Sequence, residues 1–186
     1  MRLLALDISA TNTGCAFGIE GAAPVLRSVS LTSQNSGETC AKLMKWVSAR
    51  IKEYEPDQVI IEAALLVANS GASADTARLA LEMAGCVKAT VWLRIGKATH
   101  EVPVQTWRKS FLGRGRFGKE VDAGGKKTSG GQVAKREALA MCKRLGWETL
   151  GEDDRAEAAG VYAHGCLFLP NAPQKIMRET LAGARR

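Results

Sequence analysis

No run of about 18 apolar residues occurs in this chain of 186 residues, so the sequence lacks the long apolar segment that a membrane-spanning helix requires. The apolar run at its N-terminus is interrupted by Asp7 too early for a secretory signal peptide. Its five cysteines contain no C-x-x-C pair, and neither of the two histidines gives the spacing of a zinc site. We therefore expect a cytoplasmic protein whose thiols are reduced.

Positive charge is in excess, and it is concentrated in one part of the chain. The net charge is +7, and many of the Lys and Arg residues lie between positions 108 and 144. Such a balance favours an anionic partner, and a basic segment beside an acidic site indicates nucleic acid rather than a membrane. The candidate DNA-binding residues are Arg108, Arg114, Arg116, Lys119, Lys126, Lys127 and Lys135.

The hydrophobic pattern predicts an α/β fold. Strands are predicted at about 2–8, 14–19, 24–31, 58–62 and 101–104, and helices at about 36–55, 73–93, 105–112, 132–146 and 153–169. The first three strands indicate an antiparallel meander, and the fully apolar strand 58–62 is predicted to lie parallel to the first. We expect a mixed sheet with helices on both faces, forming one domain over residues 1–170, followed by a frayed C-terminal tail at 171–186.

Two segments allow two interpretations each. Residues 113–131 are rich in Gly, Lys and Arg and are too long for a simple connection, so they either contact a nucleic acid or form a disordered insertion. The helix at 73–93 is apolar over more than one stripe. Such a helix is either deeply buried within one domain or shared with a second subunit.

Three apolar stretches run into carboxylates, at Asp7, at Glu62 and at the cluster 152–154. Carboxylates beside buried segments are unfavourable unless they are paired or bind a cation. Asp7 and Glu62 would lie at adjacent strand ends, and Asp154 and Glu157 would share one face of a helix whose small residues allow close packing on the sheet. Alternatively, Asp7 caps a turn, Glu62 starts a solvent-exposed loop, and the acidic cluster stabilises a helix N-terminus.

Converging acids of this kind suit phosphodiester hydrolysis. That reaction needs an activated water and neutralisation of the developing charge, and two divalent ions about 4 Å apart can supply both. Hard cations such as Mg²⁺ bind oxygen ligands, so a few carboxylates suffice. The pattern therefore predicts a metal-dependent hydrolase of phosphate esters.

Three short motifs carry a family resemblance: Leu4-Ala5-Leu6-Asp7-Ile8-Ser9 with Thr13-Gly14 behind it, Val59-Ile60-Ile61-Glu62, and Asp154-Arg155-Ala156-Glu157-Ala158. With them, the chain resembles the RuvC-type Holliday-junction resolvases of the RNase H-like superfamily over residues 2–168. Phage and prophage members of that family are also similar to the segment Pro103-Val104-Gln105-Thr106-Trp107-Arg108.

The resemblance implies an RNase H-like mixed sheet and a homodimer that places paired, magnesium-dependent nicks in four-way DNA junctions. Carried onto this sequence, the metal ligands would be Asp7, Glu62, Asp154 and Glu157, holding two Mg²⁺ ions for which Mn²⁺ could substitute. Lys135, with Lys127 as second candidate, would be the lysine beside the scissile phosphate, completing a catalytic set of Asp7, Glu62, Asp154, Glu157 and Lys135. The helix at 73–93 would form the dimer contact.

This chain departs from the family pattern at two places. The family commonly carries Asp where this chain has Glu157, and Asp153 rivals Asp154 because it lies four residues before Glu157. We favour Asp154 because its spacing matches the family motif. The basic loop at 113–131 is longer and richer in glycine than the family leads us to expect.

Three other functions remain open at this point. Residues 7–14 also resemble the phosphate-binding turn of actin-like sugar kinases, which transfer a phosphoryl group from ATP, although a second lobe and a second glycine-rich loop are missing. A non-catalytic protein that binds branched DNA is the second. The third is an RNase H-like nuclease that processes RNA.

Overall fold

A computed structural model describes residues 1–19, 21–64, 73–121, 125–169 and 174–185. Its main sheet consists of β1 (Arg2–Ile8), β2 (Asn12–Ile19), β3 (Val25–Ser30), β4 (Gln58–Glu62) and β5 (His100–Val102), in the order β3-β2-β1-β4-β5. The first three strands are antiparallel, whereas β4 is parallel to β1 and β5 is parallel to β4. The predicted mixed sheet is confirmed.

Six helices surround the sheet: α1 (Ser36–Tyr54), α2 (Ala74–Ile95), α3 (Val104–Leu112), α4 (Gly130–Leu145), α5 (Asp153–Phe168) and α6 (Gln174–Ala184). One hydrophobic core packs α1 and α2 on one face of the sheet, and a second core packs α3, α4, α5 and α6 on the other face. The prediction of helices on both faces is therefore confirmed. Within the described ranges, the helices include none that is long and apolar enough to cross a membrane.

The alternation of side chains along β1 decides which face each residue serves. Leu4 and Leu6 belong to the core under α1 and α2, and Leu3 and Ala5 belong to the core under α5. Because successive side chains point to opposite faces of a sheet, Asp7 follows Leu3 and Ala5 onto the α5 face. The same rule puts Glu62 on that face, since it lies two residues beyond Ile60 in β4.

The prediction of a frayed C-terminal tail is wrong for residues 174–184. These residues form α6, which packs on α4 and α5 and buries Met177 and Leu181. The apolar residues recur at helical spacing in that segment, and burial of one face stabilises a helix that would be marginal alone. Residues 171–173 of the predicted tail lie outside the described residues.

The segment between α3 and α4, residues 113–129, is here called the basic excursion. Its described part contains a short antiparallel pair, β6 (Glu120–Val121) and β7 (Lys127–Thr128), which the sequence did not predict. An ion pair of 2.7 Å between Arg136 and Glu120 ties β6 to α4. The part of the predicted loop at 122–124 lies outside the described residues.

Helix α2 is buried along one face and apolar on part of the other. Its buried residues, which include Met83, Val87 and Val91, pack against α1 and the sheet. Its C-terminal half leaves Trp92 and Leu93 61% and 77% exposed. Burial within the domain therefore accounts for one side of the helix only.

Candidate active site

Two carboxylates meet where β1 and β4 end. The two strands pair in parallel up to Leu6 and Ile61, so the next residues, Asp7 and Glu62, are neighbours across the sheet. Both point to the α5 face, as the alternation requires. Asp7 is only 7% exposed.

Helix α5 brings its acids close to the ends of β1 and β4 because it crosses the sheet over Gly14. A Cβ atom on Gly14 in β2 would overlap the carbonyl oxygen of Asp154, so only glycine lets the first turn of α5 come this close. Asp153 and Asp154 occupy that first turn, where the helix dipole favours negative charge. Glu157 follows one turn later and is 6% exposed.

The acids and two cations line one open cleft with a volume of about 490 Å³. Its wall comes from the end of β1, the following turn, β4, α3, α4 and α5. The charged residues of this wall are Asp7, Glu62, Arg108, Lys135, Asp153, Asp154 and Glu157. All four carboxylates predicted as metal ligands are therefore brought together, and so is Lys135.

Burial and mutual repulsion set the protonation of these acids. Burial, reinforced by the charges of Glu62, Glu157 and Asp154, raises the pKa of Asp7 well above its usual range. Burial also raises the pKa of Glu62 to about 7, although a hydrogen bond from Trp107 opposes the shift. A group of acids with raised pKa values, lining a cleft, is typical of a functional site.

Two cations hold Glu157. The Nη2 atom of Arg108 donates to Glu157 Oε1 at 2.8 Å, and Lys135 Nζ lies 3.5 Å from Oε2. The buried Nε of Arg108 has no hydrogen-bond partner within the described part of the chain. Arg108 was predicted as a DNA-binding residue, and its contact with a candidate ligand was not foreseen.

The two rival aspartates of α5 have different surroundings. Lys135 Nζ lies 2.6 Å from Asp153 Oδ2; despite partial burial, this contact lowers the pKa of Asp153. Burial, followed by the charge of Asp153, raises the pKa of Asp154 instead. Asp154 is also among the charges that act on Asp7. The surroundings thus favour Asp154 as the acid that faces the strand ends.

Sequence reasoning missed the role of Trp107. Its indole Nε1 donates a hydrogen bond of 2.6 Å to Glu62 Oε2, and its ring is fully buried. In the sequence, Trp107 stands out only as part of the motif at 103–108. Its contact with Glu62 joins residues 45 positions apart, so no local pattern predicts it.

The donor set suits a hard divalent cation, since it consists of carboxylate oxygens with an excess of negative charge. As the side chains stand, no three acidic, His or Cys side chains in the described ranges are grouped so that they could hold a metal ion. The contacts of Glu157 are consistent with this lack of grouping, because Arg108 and Lys135 draw the Glu157 carboxylate toward themselves. The residues therefore fit such an ion in chemistry, and the Glu157 carboxylate would have to turn from Arg108 and Lys135 toward it.

The remaining predicted DNA-binding residues do not line the cleft. Arg114 stacks on Phe117 with its guanidinium carbon 4.3 Å from the ring centroid, and Arg116 donates to Gln105. The other three residues are exposed on the basic excursion: Lys119, Lys126 and Lys127. Lys127, the second candidate for the lysine beside the phosphate, thus lies outside the cleft that contains Lys135.

The turn that resembles a kinase phosphate loop is closed on itself. Ser9 Oγ donates to the carbonyl oxygen of Asn12 at 2.5 Å and accepts from the Asn12 amide at 3.2 Å. These two bonds occupy the Ser9 hydroxyl and the Asn12 amide, which a bound phosphate would need as hydrogen-bond donors. Nothing in this turn therefore favours nucleotide binding.

The fold and the cleft define an α/β protein of the RNase H-like class, with acids at the ends of two parallel strands and on one crossing helix. No family model and no curated protein matches the sequence. The solved structures that resemble this one include Thermus thermophilus RuvC in complex with a Holliday junction substrate and a structure of Thermus thermophilus RuvC.

The first has a TM-score of 0.61 and 14% sequence identity, covering 89% of this chain and 94% of that chain. The second has a TM-score of 0.57 and 17% identity, covering 89% and 95%. The similarity thus spans nearly the whole of both molecules. The chain has the RuvC-type fold, as its three motifs predicted.

Proposed function

We propose that this protein is a metal-dependent endonuclease that cuts branched DNA, with four-way junctions as the first substrate to test. The observation that carries the proposal is the meeting of Asp7, Glu62, Asp154 and Glu157 in one cleft of a RuvC-type fold. One of the structural neighbours is itself in complex with a Holliday junction substrate.

Asp7, Glu62, Asp154 and Glu157 are the residues that would hold divalent cations, Mg²⁺ or Mn²⁺. Such ions, when bound, supply an activated water and neutralise charge on the phosphate. Excess negative charge in the cleft favours this binding, because buried carboxylates that repel each other gain most from a shared cation. Hydrolysis then joins a water oxygen to phosphorus and breaks one P–O ester bond, and the leaving oxygen takes a proton.

Lys135 and Arg108 would bind the phosphate group that is cut. Asp153 keeps Lys135 protonated, since its hydrogen bond raises the pKa of the amine despite partial burial. Arg108 has a buried Nε–H without an acceptor in the described residues, so a phosphate oxygen would satisfy a donor that the protein alone leaves unpaired. Fixed positive charge near a developing negative charge is commonly a large contribution to catalysis.

The basic excursion would carry the flanking DNA. Arg114, Arg116, Lys119, Lys126 and Lys127 lie on it, in the segment that leads into α4, and Lys135 of that helix lines the cleft. Contacts of this kind neutralise phosphates without reading sequence, and their strength falls steeply with salt.

A homodimer through α2 would supply two such clefts for paired nicks. Trp92 and Leu93 are exposed apolar side chains on a helix whose other face is buried. Light scattering is expected to give about twice the monomer mass of 19.9 kDa, and Leu93→Glu should shift the protein toward the monomer. A wild-type protein that scatters as a monomer at assay concentrations would contradict the dimer.

The decisive experiment is cleavage of a labelled four-way junction in Mg²⁺, with a linear duplex of the same sequence beside it at two salt concentrations. We expect paired nicks in the junction only. Asp7→Asn should abolish nicking and retain junction binding, because it removes a ligand and no DNA contact. Glu53→Gln, which changes an exposed acid on α1 outside the cleft and outside α2, is the control and should nick normally.

Other outcomes would replace the proposal. Junction binding without cleavage in either Mg²⁺ or Mn²⁺ would identify a non-catalytic binder of branched DNA. Cleavage of RNA alone would identify an RNA-processing nuclease, and ATP turnover with a sugar would identify a kinase. Nicking that survives Asp7→Asn would show that the activity belongs to a contaminant.

A further inference from the structure

Among the residues that the structure describes, the buried indole N–H of Trp107 has one acceptor, Glu62 Oε2, at 2.6 Å. An indole has a single N–H donor and no acceptor, so this bond uses the whole hydrogen-bonding capacity of the side chain. The bond joins α3 to the end of β4, the strand that carries a candidate ligand. It occupies Oε2 and leaves Oε1 of the same carboxylate for another partner.

Tight packing fixes the ring that makes this bond. A Cβ atom on Gly160 of α5 would lie 2.5 Å from ring carbons of Trp107 and 3.0 Å from Phe111, so the ring fills the space that the glycine leaves. The guanidinium carbon of the adjacent Arg108 lies 5.3 Å from the ring centroid. A ring enclosed in this way has one position, and its N–H donor therefore holds the Glu62 carboxylate in one orientation.

We propose that Trp107 is a positioning residue that orients Glu62 so that Oε1 is presented to a divalent cation in the cleft. The proposal rests on the proposed function, because it takes Glu62 to be a ligand. In this role Trp107 would contact neither the cation nor the DNA and would act through Glu62 alone. Hydrogen-bonded partners of this kind orient metal-ligating side chains in proteins, and their loss weakens metal binding about 10- to 100-fold.

Calorimetric titration of the metal-free full-length protein with Mn²⁺ tests the proposal without DNA. Trp107→Phe keeps most of the buried ring and removes the donor, so Mn²⁺ should bind about 10- to 100-fold more weakly than to wild type. Trp147→Phe is the matched control, since Trp147 is also buried and packs on Phe111 and Tyr162. It should bind Mn²⁺ as wild type does.

A double-mutant cycle separates positioning from general support of the fold. If Trp107 acts through Glu62, Trp107→Phe should change Mn²⁺ affinity little once Glu62→Gln is present, because the orienting bond has lost its charged target. An equal loss in both backgrounds would overturn the proposal and assign Trp107 a structural role.

A measurement on the wild-type chain does not depend on whether Trp107→Phe folds. The four tryptophans each give an indole N–H resonance, and the Trp107 signal is the one that persists in Trp46→Phe, Trp92→Phe and Trp147→Phe. Mg²⁺ should shift this signal, since the cation binds the carboxylate that accepts its hydrogen bond. A Trp107 signal that stays fixed while Mg²⁺ binds would overturn the proposal.

The two proposals fail in different ways. Wild-type protein that binds no Mn²⁺ and nicks no junction would overturn the proposed function and this inference with it. Wild-type protein that nicks junctions, with Trp107→Phe binding Mn²⁺ equally well, would overturn only the role of Trp107.

Discussion

Glu157 is a buried acid whose two oxygens both lie near cations, one at Arg108 and one at Lys135. Removing a charge from water is unfavourable unless a partner compensates it, which explains why two basic side chains gather at this point. A divalent cation would offer stronger compensation to the same carboxylate. Arg108 and Lys135 would then be released for the phosphate, so the same residues serve the cleft with and without metal.

The two neighbouring aspartates of α5 should respond differently to substitution. Asp154→Asn should remove Mn²⁺ binding and junction nicking, since the charge of this acid acts on Asp7, its own pKa is raised, and no cation of the described residues forms an ion pair with it. Asp153→Asn should weaken nicking about tenfold through the loss of its bond to Lys135, a supporting contact, and should leave Mn²⁺ affinity nearly unchanged. Calorimetry and the junction assay measure both.

The opposite ranking would make Asp153 the ligand. In that case Asp153→Asn would remove Mn²⁺ binding and Asp154→Asn would leave it. Both variants keep the size of the side chain, so they serve as controls for each other.

At the scale of elements, the approach of α5 to the sheet decides whether the acids meet. Gly14 and Gly18 of β2 lie under α5, where a Cβ would overlap Asp154 or the ring of Tyr162. The alanine-rich stripe of α5 supplies the other half of this contact, with Ala156, Ala159 and Ala163 fully buried. Small residues on both elements bring the first turn of the helix to the ends of β1 and β4.

Gly14→Ala should therefore push α5 away from β2. We expect the free energy of unfolding to fall by about 1–3 kcal/mol, the usual effect of overpacking a core, and junction nicking to fall with it. Urea unfolding measures the first and the junction assay the second.

Gly85→Ala on α2 is the control for this substitution. A Cβ at Gly85 meets nothing within 4 Å, and alanine favours a helix interior over glycine by about 1 kcal/mol, so this variant should be slightly more stable. Equal stability of Gly14→Ala and wild type would contradict the close contact of α5 with β2.

At the scale of the whole molecule, negative charge is concentrated in one cleft of a basic protein. The chain carries a net charge of +7, yet five of its carboxylates, Asp7, Glu62, Asp153, Asp154 and Glu157, line one cleft with only two cations among them. The basic excursion leads into α4, and Lys135 of that helix lines the cleft. The proposed function needs both features, since positive charge attracts DNA and the acids would hold divalent cations.

The stability of the metal-free protein should fall as pH rises from about 4.5 to about 7. The pKa of Glu62 is raised from 4.5 to about 7 in the folded state, so the folded state binds this proton more tightly than the unfolded chain. The resulting stabilisation is complete below the unfolded pKa and is lost as pH rises through the folded pKa.

Urea unfolding in a chelator at several pH values measures this effect as the difference between wild type and Glu62→Gln, which removes the titrating group. Glu148→Gln on the surface is the matched control. Adding Mg²⁺ should restore stability at the upper end of the range, because the cation binds the ionised acids. Wild type and Glu62→Gln with the same pH dependence would contradict the burial of the Glu62 charge.

Much of this molecule follows from local patterns in the sequence. Alternating and fully apolar stretches predicted the strands. The helices predicted at about 36–55 and 132–146 are observed at Ser36–Tyr54 and Gly130–Leu145. The sequence predicted neither the short pair β6 and β7 nor the helix α6. A two-residue strand has no periodicity, and a short helix depends for its stability on the core it packs on.

The sequence by itself determined the order of β1 to β5 and α1 to α5 and the strand and helix ends at which the acids lie. It did so because side-chain periodicity and turn residues are local properties. The tertiary structure decided that Arg108 and Lys135 hold Glu157 and that Trp107 bonds Glu62, and it favours Asp154 as the α5 aspartate whose charge acts on Asp7. The Trp107–Glu62 and Arg108–Glu157 contacts join residues 45 or more positions apart in the chain. They depend on how closely α3, α4 and α5 pack on the sheet, and no local pattern encodes that packing.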